Sequence, residues 1–75
     1  MTFLDLLKGF KAEDKVIHLT FGEKFYLNCK ITEIHADFVK VNLHAFNKSE
    51  RQYITTSNNA FVPIGSIVYI EEAGQ

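Results

Sequence analysis

At 75 residues, the chain has room for one small domain spanning 1–75, near the lower size limit at which a single hydrophobic core stabilises a fold. Its 47% hydrophobic and 13% aromatic content argues against disorder, and no apolar run approaches about 18 residues, so no membrane span or membrane partner is expected. The net charge of −1, from 8 Lys and Arg against 9 Asp and Glu, lacks the basic excess that most nucleic-acid-binding proteins carry.

Two features of the sequence bear on the cellular compartment in which the protein is expected. Asp5 interrupts the apolar residues near the N-terminus and no cleavage pattern follows, so no secretory signal is expected. The single cysteine, Cys29, cannot form an internal disulfide, which fits a reducing cytoplasm. We therefore expect a cytoplasmic protein.

The first element is a short amphipathic helix over about residues 2–10, "TFLDLLKGF". Thr2 is placed to cap its N-terminus, with Asp5 completing a capping box, and Gly9 is a plausible stop before the charged connector "KAEDK". The i, i+3, i+4, i+7 spacing predicts one buried face made of Phe3, Leu6, Leu7 and Phe10.

From Val16 onward the hydrophobic period changes to two and predicts five strands, at about 16–21, 25–34, 38–46, 51–62 and 66–71. Alternation places one set of side chains inward: Ile17, Leu19, Phe21, Phe25, Leu27, Cys29, Ile31, Val39, Val41, Leu43 and Ala45. The opposite face then carries His18, Tyr26, Asn28, Phe38, Lys40, His44 and Phe46. Strands at this regular spacing after one helix predict a mainly β fold, a small antiparallel barrel.

The stretch "FVPIGSIVYI" contains the only proline of the chain and marks a corner. Pro63 lacks an N–H and cannot sit in a central ladder, so strand pairing is expected to end there. Ile64–Gly65 then turns the chain, and the last strand restarts in another direction.

One helix followed by five strongly bent strands with such a corner resembles the Sm-like fold, the family of the Sm and Sm-like (LSm) proteins and the bacterial RNA chaperone Hfq. The resemblance covers roughly Phe3 to Glu71. In "VIHLTFGEKFYLNCKITEIHADFVKVNL", Gly22 takes the place of the turn glycine, and in "FVPIGSIVYI" Gly65 and "IVYI" match the short second motif. The resemblance implies a strongly bent five-stranded antiparallel barrel.

The resemblance also implies single-stranded RNA binding. The stretch His35-Ala36-Asp37-Phe38 occupies the position of the family's third loop, so Phe38 is the candidate base-stacking residue and Asp37 its acidic neighbour. Lys40 next to Phe38 gives the pairing of an aromatic ring with a cation that single-stranded RNA binding uses. The candidate RNA-binding residues are therefore His35, Asp37, Phe38, Lys40 and Gly65.

Two positions depart from the family's uridine pocket. Ile64 stands where the family places a basic residue before the glycine, and Asn42 lies further along its strand than the family's base-reading asparagine. The resemblance therefore supports a ring-forming barrel more than a complete RNA site.

A barrel of this kind leaves its fourth and fifth strands as open edges, which soluble proteins must protect. Head-to-tail pairing of these edges closes a homo-oligomeric ring, for which the resemblance implies five to seven subunits. The interiors of "RQYITT" and "SIVYI" are uncharged and offer interface residues: Tyr53, Ile54, Ile67, Val68 and Tyr69.

Other readings stay open. The first alternative to RNA binding is a ring that serves as a protein-interaction or structural adaptor with no nucleic-acid role, and the second is an unrelated SH3-like or OB-type monomer. His18, His35 and His44 have no paired ligand spacing, so no metal and no cofactor is expected. Cys29 alternates in phase with core residues, and no catalytic constellation is visible, so we expect no enzyme activity.

Overall fold

The computed structural model describes residues 2–73 as one N-terminal helix and one five-stranded antiparallel sheet. The prediction of a mainly β chain with this order of elements is confirmed. The elements are α1 (Phe3–Glu13), β1 (Ile17–Phe21), β2 (Phe25–Ile34), β3 (Phe38–Asn47), β4 (Gln52–Pro63), a 3₁₀ turn (Ile64–Ser66) and β5 (Ile67–Glu72). Each strand boundary lies within one residue of the range expected from the sequence.

Helix α1 begins with the expected capping box. The Thr2 Oγ1 atom accepts a hydrogen bond from the Asp5 backbone N–H at 3.1 Å, and the Asp5 carboxylate accepts one from the Thr2 N–H at 3.3 Å. The helix does not stop at Gly9, however, and runs on to Glu13. Asp14 ends it in the left-handed conformation (φ 55°), which lets the Asp14 and Lys15 N–H groups bond the last free carbonyls.

The strands are ordered β4-β3-β2-β1-β5, so β4 and β5 are the two edges of the sheet. These edge strands are not paired with each other among the described residues, and the sheet is open. It is strongly curved nonetheless: the Tyr53 hydroxyl on β4 lies 3.1 Å from Nε2 of His18 on β1, three strands away in the sheet order. Among the described residues, no helix has the length and apolarity needed to span a membrane.

The hydrophobic core lies between α1 and one face of the sheet. Its buried members are Leu7, Phe10, Ile17, Leu19, Cys29, Ile31, Val39, Val41 and Val62. The alternation predicted six of the seven strand members, and Val62 joins them in the structure. Two inward assignments are wrong, since Phe25, at the start of β2, and Ala45, near the end of β3, are exposed. Half of the predicted helix face, Phe3 and Leu6, is also exposed.

His44 was expected on an outward face, yet it is buried. The register between β3 and β4 shifts between Asn42 and His44, where β4 carries extra residues around Thr56–Asn58. The Asn42 side-chain amide donates to the Thr56 carbonyl at 2.9 Å, which satisfies backbone that the bulge removes from the ladder. Beyond this bulge the hairpin bends over the second face of the sheet and covers His44.

The corner after β4 matches the sequence expectation. Pro63 is the last residue of β4 and pairs with Phe38, and the following turn carries the chain into β5. The Ile64 N–H donates to the Asp37 carbonyl at 2.8 Å, and the Gly22 N–H donates to the Ser66 carbonyl at 3.0 Å. The corner is thus tied both to the β2–β3 turn and to the β1–β2 turn.

Candidate functional site

The candidate site lies at the end of the sheet where the β2–β3 turn meets the β4–β5 corner. Two backbone contacts bring these segments together: the Ile64–Asp37 hydrogen bond and the pairing of Phe38 with Pro63. The fold therefore places His35, Asp37, Phe38 and Gly65 near one another at this junction. Asp37 contributes its backbone carbonyl to this junction, and Gly65 lies exposed on the corner.

The central feature of the site is a group of three aromatic rings, those of His35, Phe38 and Phe61. Together with the flanking Glu33 and Lys40 it is called the ring cluster. The His35 imidazole stacks on Phe38, with ring centroids 4.5 Å apart and planes inclined by 16°. Phe61 on β4 meets Phe38 edge to face at 6.0 Å, and 65% of Phe61 is exposed to solvent. One face of Phe38 is therefore occupied by His35, while Phe61 presents an open aromatic surface beside it.

A carboxylate and a cation flank the rings. Glu33 contacts Nε2 of His35 through Oε1 at 2.9 Å and the Lys40 ammonium through Oε2 at 3.6 Å. The Lys40 ammonium also lies 6.0 Å from the Phe61 ring centroid, within cation–π range. The hydrogen bond with His35, and then the positive charge of Lys40, hold the pKa of Glu33 below its ordinary value. Much of the positive charge of Lys40 is thus balanced within the chain.

Two members of this cluster, Glu33 and Phe61, were missed by sequence reasoning. A signal for Phe61 was present: once Pro63 is placed opposite Phe38, antiparallel register puts Phe61 opposite Lys40. Glu33 reaches Lys40 because Thr32 is an extra residue in β2, which shifts the register between Ile31 and Glu33. No alternation pattern in the sequence predicts that bulge.

The predicted interface residues lie on the two edge strands but differ in their surroundings. Ile54 on β4 and Val68 and Tyr69 on β5 are exposed. Ile67 is half-buried opposite Phe21. Tyr53 is engaged within the chain, since its hydroxyl bonds His18 and its ring packs edge to face on Phe46 at 5.2 Å.

The remaining titratable candidates have internal partners. His44 contacts the Asn42 carbonyl through Nδ1 at 3.1 Å and the Thr55 hydroxyl through Nε2 at 3.3 Å. Burial raises the pKa of the Cys29 thiol to about 12, so the nucleophilic thiolate is scarce at neutral pH. Within residues 2–73, no three His, Cys, Asp or Glu side chains are grouped closely enough to hold a metal ion.

Comparisons with protein-family models, with curated proteins and with solved structures found no match to this chain. The resemblance to the Sm-like proteins therefore stays a prediction from the sequence.

Proposed function

We propose that the chain is a divergent Sm-like protein whose curved sheet is completed into a barrel-like assembly by pairing with further copies of itself. The observation that carries this proposal is the position of β4 and β5 at the two ends of an open sheet. Each edge has unpaired backbone groups, which a soluble protein must cover or pair. Head-to-tail pairing of the β4 edge of one copy with the β5 edge of the next satisfies both edges at once and yields a closed ring.

The side chains along these edges support assembly. Ile54, Val68 and Tyr69 expose apolar surface, β4 has no charged residue, and β5 has none before Glu71, so these stretches do not oppose edge-to-edge pairing. A chain of 75 residues also gains buried area by associating. The ring of five to seven subunits belongs to this proposal.

We further propose that the oligomer binds single-stranded RNA through the ring cluster that each subunit carries at its β2–β3 turn. Single-stranded nucleic acid is recognised by aromatic surfaces on which bases stack, next to cations that contact phosphate. Phe38 and Phe61 supply the aromatic surface, and Lys40 supplies the cation beside it. Repetition of this cluster around a ring would multiply weak contacts into useful affinity.

The experiment that tests RNA binding is fluorescence anisotropy with labelled U-rich and A-rich oligonucleotides at low salt. Saturable binding at micromolar protein is expected, weakening as salt is raised because phosphate contacts release counterions. The ratio of absorbance at about 260 and 280 nm of the purified protein would show whether nucleic acid is retained from the cell.

A second candidate function is an oligomeric adaptor for protein partners with no nucleic-acid role. One observation favours it: the cationic position of the family motif is Ile64, and the nearby Lys40 is paired with Glu33. A site whose one cation is balanced by a carboxylate attracts phosphate weakly. Absence of oligonucleotide binding by a protein that is oligomeric in solution would favour the adaptor.

A further inference from the structure

A second candidate site lies on the face of the sheet that does not hold the core, on β1 and β5 rather than on the strands of the ring cluster. It is a surface pocket of about 430 Å³ formed by β1, β5 and the β1–β2 turn. We propose that it binds the side chain of an arginine from a partner protein. For brevity it is called the tyrosine slot, and its lining residues used below are Thr20, Glu23, Lys24, Tyr26, Tyr69 and Glu71.

Strand register builds the slot. Thr20 on β1 pairs with Tyr26 on one side and with Tyr69 on the other, so two tyrosines stand in one row with a small residue between them. A register shift between Thr20 and Phe21 inserts Val68 as an extra residue in β5, and Val68 joins Tyr69 in lining the pocket. The two tyrosines are 63% and 52% exposed, respectively, so both side chains are accessible to a ligand.

The spacing suits a flat cation. Neighbouring strands lie about 4.8 Å apart, so the backbones of Tyr26 and Tyr69 are separated by roughly 10 Å across Thr20. With side chains standing roughly perpendicular to the sheet, the two rings then leave a gap about as wide as a cation that contacts both, since cation–π interaction extends to about 6 Å from a ring centroid. A planar guanidinium can also stack on a tyrosine face, which a compact ammonium cannot do.

Charge selects the same class of ligand. Glu71 follows Tyr69 on the same face of β5, opposite His18, and Glu23 lies in the adjoining turn. Against these two carboxylates the slot has one cation, Lys24. Among residues 2–73, neither carboxylate takes part in an ion pair, so both can accept hydrogen bonds from a ligand. A guanidinium meets a carboxylate with two parallel N–H donors, whereas a phosphate backbone would be repelled.

The back wall of the slot is fixed by contacts within the chain. The His18 ring lies 6.2 Å from the Tyr26 ring, and its Nε2 is bonded to the Tyr53 hydroxyl. Tyr26 is therefore supported on one side and open on the side that faces the slot. Every residue of the slot comes from one chain, and pairing in the proposed ring would use the backbone edge of β5 rather than the sheet face on which the Tyr69 ring lies. The inference therefore does not depend on the ring or on RNA binding.

The test is a titration of ¹⁵N-labelled protein with an end-blocked Gly-Gly-Arg-Gly-Gly peptide, followed by amide chemical shifts. We expect saturable shifts centred on Thr20, Tyr26 and Tyr69, with a dissociation constant on the order of 1 mM. The peptide with glutamine in place of arginine should bind about tenfold more weakly, and the lysine peptide should lie between them.

Two variants and one control make the assignment specific. Tyr26→Leu and Glu71→Gln should each weaken the arginine peptide about threefold or more, because one removes a ring and the other a negative charge. Phe25→Leu, at a similarly exposed aromatic that does not line the slot, should leave the affinity unchanged. Equal binding of the arginine and glutamine peptides would overturn the proposal. A second result would also overturn it: an oligonucleotide shifts the same amides, and Tyr26→Leu abolishes those shifts. The slot would then bind nucleobases.

Discussion

Phe38 is the residue on which the RNA proposal depends most. Its ring is held between His35 and Phe61, and removing it would dismantle both ring contacts. Stacking of one base on an aromatic side chain contributes about 1–3 kcal/mol, so Phe38→Ala should lower oligonucleotide affinity at least fivefold in the anisotropy assay.

The matched control for this variant is Phe25→Ala, which removes a ring of the same size that is 66% exposed and lies outside the cluster. This control should bind as the unmodified chain does. If Phe38→Ala binds normally and only lysine substitutions weaken the complex, the contact is one of non-specific charge and the ring cluster has no role in it.

Cys29 gives a prediction about pH. Its pKa is raised from 9.0 to about 12 by burial, so the folded state favours the protonated thiol. This contribution to stability is fully present below pH 9.0 and is lost as the pH rises toward 12. The free energy of unfolding in urea should therefore fall between neutral pH and about pH 10.5.

Because tyrosines and lysines also titrate in this range, Cys29→Ala is the necessary comparison. The variant should be less stable at neutral pH, since it leaves a small cavity, and it should lose less stability at high pH. An identical pH dependence in the two proteins would show that the thiol is not buried as the structure describes.

At the scale of elements, Asn42 fixes the bulge in β4. Its amide donates to the Thr56 carbonyl at 2.9 Å and is part-buried, while the Thr56 hydroxyl donates to the Leu43 carbonyl at 2.8 Å. Asn42→Ala would leave a partly buried carbonyl without its donor, which typically costs about 1–3 kcal/mol.

We therefore expect Asn42→Ala to lower the thermal midpoint by several degrees, measured by circular dichroism. The exposed neighbour Asn58 supplies only backbone atoms to this network, so Asn58→Ala should have little effect. Equal losses in the two variants would mean that the Asn42 side chain does not hold the bulge.

The sequence predicted the elements well because hydrophobic period and capping are local signals. Alternation correctly placed Ile17, Cys29 and Val41 in the core, and Pro63 marked the end of β4 because a proline cannot donate to a ladder. The sequence-based prediction failed where tertiary packing decided whether a side chain is buried or where a helix ends. His44 is buried only because the β3–β4 hairpin folds over the second face of the sheet, and Gly9 is passed because the helix finds a better end at Asp14.

The candidate site was predicted in part for the same reason. The β2–β3 turn and the corner were located from motifs, but Glu33 and Phe61 enter the ring cluster through strand register. The tyrosine slot was invisible in the sequence, because Tyr26 and Tyr69 lie 43 positions apart and meet only through their shared pairing with Thr20.

At the scale of the whole molecule, the two open edges are the feature that calls for a partner. A lysine placed on an edge strand opposes pairing with another strand. Ile54→Lys on β4 should therefore lower the mass of the assembly in light scattering, whereas Leu4→Lys, at a similarly exposed site on α1, should not. Equal effects of the two changes would show that the interface between copies does not lie at the edge strands.

The central claim is that this chain covers its edges with copies of itself, and native mass spectrometry of the purified protein tests it most directly. One chain has a mass of 8.6 kDa. The account predicts a single closed species of five to seven chains that persists on dilution. A mass of 8.6 kDa at micromolar concentration would contradict it.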